Sequence, residues 1–145
     1  MENTIAEIQR RLENLLRIGT VAEVRYERIP AVRVRMGNIL TDWLPIATVR
    51  AGTTKTWSPL SPGEQVMVLS QSGDLTAGVV LPGIASLQNQ APDDNKDNAR
   101  IQYPDGATVD YNSLQHHYTI TVPASGKITF KVGASTLELS NSGTV

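Results

Sequence analysis

The chain has 145 residues, with 13 basic side chains against 14 acidic ones and no cysteine. That length holds one ordinary domain or two small ones, and a net charge of −1 demands neither nucleic acid nor acidic lipid as a partner. The cysteine count excludes disulfides and thiolate metal sites. No apolar run reaches the ~20 residues that cross a bilayer, and the first residues lack the build of a secretory signal, so synthesis in the cytoplasm is expected.

Residues 1–18 read as a helix. Thr4 followed by Glu7 fits a capping box, in which hydroxyl and carboxylate satisfy free backbone N–H groups of the first turn. Ile5, Ile8, Leu12 and Leu15 are spaced 3, 4 and 3 apart, as in an a/d seam. Either the helix lies on its own barrel or it self-associates. Because Arg10, Arg11, Glu13, Asn14 and Arg17 leave only this narrow stripe apolar, self-association is favoured. Gly19 is expected to end the helix.

From 19 to 85 the apolar pattern changes to period two, broken by glycine and proline. GTVAEVRYE and AVRVRM face each other across Arg28-Ile29-Pro30 as a hairpin, with Val32, Val34 and Met36 alternating with Arg33 and Arg35. A short strand is expected at Trp43 to Ala47, then a loop from Val49 to Pro62. EQVMVLS and LTAGVVL follow, joined by a turn around Ser72-Gly73. Five short strands are too few for two packed sheets and point to a small barrel of OB type.

An OB barrel raises the alternative of single-stranded nucleic-acid binding. The first 60 residues carry 9 basic and 6 acidic side chains, Arg25, Arg28, Arg33, Arg35, Arg50 and Lys55 among them. Binding of that kind needs aromatic platforms in a positive groove. The barrel offers only Tyr26, Trp43 and Trp57, so the expectation is no nucleic-acid partner. The arginines then form a solvated outer face or pair with acidic surface on a neighbouring protein.

Residues 86–99 are polar and read as a linker. Beyond it, residues 100–145 alternate throughout: Ile101 and Tyr103; Ala107, Val109 and Tyr111; Tyr118, Ile120 and Val122; Ile128, Phe130 and Val132; Leu137 and Leu139. Breaks fall at Asp105-Gly106, Asn112-Ser113, Ser125-Gly126, Gly133 and Ser142-Gly143. Each run is a half-buried strand, yet from Ile101 onward only five side chains are charged, which leaves little protection for sheet edges. A segment this short cannot bury a core alone. Winding identical chains about one axis supplies the missing interior, and three is the smallest number that makes a tube. The apolar residues just named, with Ile5, Ile8, Leu12 and Leu15, are the expected homotrimer interface. About six strands per face at ~4.8 Å each make a stem roughly 25–30 Å long.

Taken in order, Asp42-Trp43-Leu44, Arg50-Ala51-Gly52, Gly63-Glu64-Gln65-Val66, Val80-Leu81-Pro82-Gly83 and Pro104-Asp105-Gly106 form a specific set. The chain resembles the phage baseplate assembly protein V family, the central spikes of contractile tails, over nearly its whole length. The resemblance implies a mainly β fold of N-terminal helix, OB barrel and intertwined trimeric β-helix. It also implies a rigid homotrimer, seated on the hub protein at the end of the tail tube, that pierces the outer membrane of the target bacterium on contraction. Its place would be the virion baseplate or a bacteriocin particle.

Family members often end in an apex that binds iron through a His-x-His motif. The sequence has none and reaches only Val145, so no cofactor is expected; either it stops short of the natural terminus or a separate tip protein caps the stem. Its histidines are His116 and His117. Strand parity with Tyr118 and Ile120 would turn His116 inward, where an axial ring could hold a metal or an anion, but a place in a turn or on the stem surface is favoured. No nucleophile elbow, phosphate-binding glycine loop or metal-ligand spacing occurs, and no enzymatic activity is expected.

Overall fold

The structure is a computed structural model that describes residues 2–142. It divides into two compact units, residues 1–90 and 91–145. The fold is mainly β, with one short N-terminal helix.

The helix, α1, spans Glu2–Leu15. Thr4 therefore lies inside the helix and no capping box forms. Glu7 instead pairs with Arg10 at 2.8 Å and Arg11 at 3.0 Å, one turn ahead. Gly19 does not end the helix either. Strand β1 begins at Leu16 and runs to Arg25, because Leu16, Arg17, Ile18 and Gly19 pair with Leu69, Val68, Met67 and Val66. Sheet pairing overrides the helical propensity of Leu-Leu-Arg-Ile.

The rest of the first unit is a barrel. Strands β2 (Ala31–Met36), β3 (Ile39–Leu40), β4 (Leu44–Pro45), β5 (Gln65–Ser70) and β6 (Gly78–Ile84) join β1 in one sheet ordered β3-β2-β1-β5-β6, with β4 also on β2. Ile46 bridges Val80, and the Ala47 N–H donates to the Val80 carbonyl at 2.8 Å, which closes the sheet on itself. The expected hairpin of β1 and β2 is present. The expected strand LTAGVVL is shorter, since Leu75–Ala77 form a 3-10 turn after the turn at Gln71–Gly73.

Alternation decides what the barrel encloses. Val32, Val34 and Met36 of β2, Val66 and Val68 of β5 and Val80 of β6 are buried with Val21, Leu44 and Leu60, while Arg35 faces out. A bulge between Val21 and Glu23 shifts the register of β1 and gives the strand the extra bend that a small barrel needs. Tyr26 straps the loop before β5 by donating to the Leu60 carbonyl at 3.0 Å. Gly19 sits where β2 crosses closest. A Cβ there would lie 2.6 Å from Val34 Cγ1 and 2.7 Å from the Arg35 carbonyl oxygen.

The second unit holds two separate antiparallel sheets. One is a meander of β7 (Asn98–Gln102), β8 (Thr108–Asn112) and β9 (His117–Thr121); the other is a hairpin of β10 (Lys127–Val132) and β11 (Ser135–Ser140). The five strands fall on the five alternating runs. The expected linker is shorter than 86–99, because residues up to Gln90 belong to the first unit and β7 starts at Asn98. The break at Ser142-Gly143 reaches outside the described residues, as does the end of the 100–145 segment.

Gly19→Ala should destabilise the barrel by about 1–3 kcal/mol, the usual cost of forcing an extra carbon into a packed site. Gly52→Ala, where an added Cβ meets open space, should leave it unchanged. Thermal unfolding followed by tryptophan fluorescence would compare the two.

Candidate oligomerisation surfaces

Register fixes the faces of the second unit. Ala99 pairs with Tyr111 and Tyr111 with Tyr118; Ile101 pairs with Val109 and Val109 with Ile120. Directly opposed residues share a face, so one side of the meander is apolar throughout. The other side carries Arg100, Asp110 and Thr119 in one row and Gln102, Thr108 and Thr121 in the next. The hairpin repeats the division. Ile128 pairs with Leu139 and Phe130 with Leu137, whereas Lys127, Thr129 and Lys131 oppose Ser140, Glu138 and Thr136.

These apolar faces are uncovered. Phe130 is 62% exposed and Tyr118 61%, and no described residue beyond Val80 is buried. Tyr111 and Tyr118 touch across the ladder with ring centroids 6.1 Å apart. Tyr103 lies just past β7, in a turn that its N–H closes on the Ala107 carbonyl at 2.8 Å. Val122 lies just past β9 and is half-buried. Leu114, exposed in the turn between β8 and β9, is a large apolar residue that alternation does not pick out, because it lies on no strand.

His116 lies in a turn, the favoured of its two expected places. It sits in that same turn at φ 55°, one residue before β9 begins. Left-handed backbone breaks the two-residue alternation, so His116 does not share the face of Tyr118 and Ile120. Among the described residues no cluster of three or more histidine or acidic side chains could hold a metal.

The polar face of the meander is tied together. Arg100 pairs with Asp110, and the Asn98 side chain donates to Asp93 at 2.7 Å and to Asp110 at 3.4 Å. The Asn98 bond, with the N–H groups of Asn95 and Asp94, holds the Asp93 carboxyl below the usual carboxylate range. The last two residues of the expected linker, Asn98 and Ala99, thus start the sheet, and Asp93 is tied to it through Asn98.

In the first unit the α1 stripe of Ile5, Ile8, Leu12 and Leu15 is exposed, and no residue of α1 is buried. The helix does lie on its own barrel, through the Arg11 backbone and its last residue, Leu15. Gly73, at φ 72°, comes so close to the Arg11 backbone that a Cβ would overlap it. The barrel face also bears Trp43, with the Arg25 guanidinium 4.3 Å from its ring centroid and that of Arg33 at 5.9 Å. Those cations occupy the ring that a stacked base would need.

Three of the five short motifs set local backbone geometry. Asp42 accepts from the Trp43 N–H at 2.8 Å while Leu44 enters the core. Glu64 accepts from the Ser61 N–H and hydroxyl, with Gly63 at φ 95° making the turn. Asp105 accepts from the Ala107 N–H at 3.0 Å around Gly106 at φ 90°. These are backbone geometries, not reactive groups.

Glu7 supplies a pH test. Hydrogen bonds from Arg10 and then Arg11 hold its carboxyl down to about 2, against 4.5 for a free one. A carboxyl depressed in the folded state contributes stability above its unfolded value, and that contribution is lost as pH falls through the folded one. Between pH 5 and pH 2 the helical circular dichroism of the protein should therefore converge on that of Glu7→Gln; a constant difference would show that the pairs add nothing.

Residues 17–84 match the family described as the Type VI secretion system/phage-baseplate injector OB domain. The chain is also similar to the spike protein of Escherichia phage P2, with 39% identity over 139 residues. That alignment covers 90% of this chain and 65% of the relative, so the chain spans a little under two thirds of the relative's length. Barrel, motifs and alignment agree: residues 17–84 form an OB domain of the phage-baseplate injector family, and most of the chain is similar to a phage spike protein, as the resemblance to the phage baseplate assembly protein V family implies.

Proposed function

We propose that the chain is a structural spike subunit of a contractile-tail baseplate. Three copies wind their second units into a β-helical prism that is driven through the outer membrane of the target bacterium. One observation carries the reading: two sheet faces, apolar except for Ser135 opposite Val132, lie in a unit that has no buried residue among those described. A unit of roughly 50 residues cannot offset its chain entropy with so little burial. Three such faces turned toward a common axis give each chain an interior made by the other two. The similarity to the P2 spike protein supports the same role.

The role is mechanical rather than catalytic. Strands shared among three chains resist unravelling, because pulling one free breaks backbone bonds to its neighbours, and a stiff narrow stem concentrates contraction force on a small area. The OB barrels would seat the assembly on the hub at the end of the tail tube. Of the three aromatic residues that nucleic-acid binding could use, Trp43 is already taken by Arg25 and Arg33, which weakens that alternative.

Light scattering should report three times the 15.7 kDa of one chain, persisting in dilute detergent, with no affinity for oligonucleotides. A monomer that binds oligonucleotides in a salt-sensitive way would overturn the reading. Phe130→Asp should abolish the trimer, whereas Thr129→Asp, on the opposite face of the same strand, should retain it. The reverse result would show that the other face is the internal one.

A further inference from the structure

The barrel has a second apolar side. Leu16 and Ile18 of β1 pair with Leu69 and Met67 of β5, which pair in turn with Val79 and Leu81 of β6. These six residues share one face of three adjacent strands, and it is the outer one, because the alternate residues Val66, Val68 and Val80 fill the core. Leu16 is 60% exposed, Ile18 54% and Leu81 46%. Part of this ladder forms the floor of a shallow groove with Leu15, Ala47 and Ala77, and no charged side chain lines it.

Sheets with one solvated face alternate apolar and polar residues; strands apolar on both faces are covered on both. The chain's own helix does not supply the cover. It is held through Arg11 against Gly73, and of α1 only its last residue, Leu15, reaches the groove. Leu15 is also the end of the exposed stripe, so stripe and ladder form one continuous surface. Its ten large side chains expose on the order of 800 Å², more than the usual largest patch on a monomer and close to one partner's share of a standard interface.

We propose that this surface is where neighbouring barrels of the assembly pack on one another. The occupant is a second copy of this chain. Freedom from charge is the character of interfaces between permanently associated copies. The inference rests on the stem reading above: chains joined through a stem hold their barrels near one another at high effective concentration, so a copy is the cover always at hand.

The test is a photo-cross-linking amino acid at Leu69 in the full chain, with the same probe at the exposed loop residue Thr53 as control and light scattering on both samples. The expected result is covalent dimer and trimer bands from the Leu69 probe, mapping to residues 2–90 of a second copy, and none from Thr53. A trimer by light scattering with no copy-to-copy cross-link from Leu69 would overturn this inference while leaving the spike reading intact. Cross-linking in assembled particles only to a different baseplate protein would overturn it in favour of the hub. A monomer by light scattering would remove the stem reading, and this one with it.

Discussion

The constraint from which the rest of the molecule follows is that every strand satisfies one side of itself more easily than the other. Backbone groups pair within each antiparallel ladder, but an apolar face is covered only if something lies over it. The barrel solves this on its inner side by curling, and nine buried apolar residues fill the space. The meander and the hairpin do not curl. Their backbone pairing is complete between partners and their apolar sides are left open.

Local backbone chemistry sets where each face begins and ends. Gly63, Gly106 and Gly133 turn the chain at positive φ, and Glu64 and Asp105 fasten two of those turns by accepting N–H groups beside them. The motifs that mark the family are therefore largely instructions for bending. Gly19 is of another kind, since its conformation is ordinary and only the approach of β2 demands it.

The second unit was the most legible part of the sequence, because strict alternation with turn residues between runs has one structural meaning. Errors arose where a residue has two. Gly19 fits a helix end as well as a close crossing, and Thr4 with Glu7 fits a cap as well as two unrelated positions in one turn. The outer ladder of β1, β5 and β6 escaped notice for a different reason. In Val66-Met67-Val68-Leu69 every residue is apolar, so periodicity cannot tell an inner side from an outer one. Only the register separates them. The Arg25–Trp43–Arg33 arrangement was equally invisible, since its partners come from three separate segments.

Among the described residues, no further strand pairs with either edge of the two-stranded hairpin Lys127–Ser140. In the proposed spike those edges meet strands from other chains, which makes completion of the stem a collision event, with a rate that rises with more than the first power of protein concentration. The barrel folds within one molecule and has no such dependence. A cell making this protein slowly would thus accumulate finished barrels with waiting tails, and rapid, clustered synthesis would favour finished spikes.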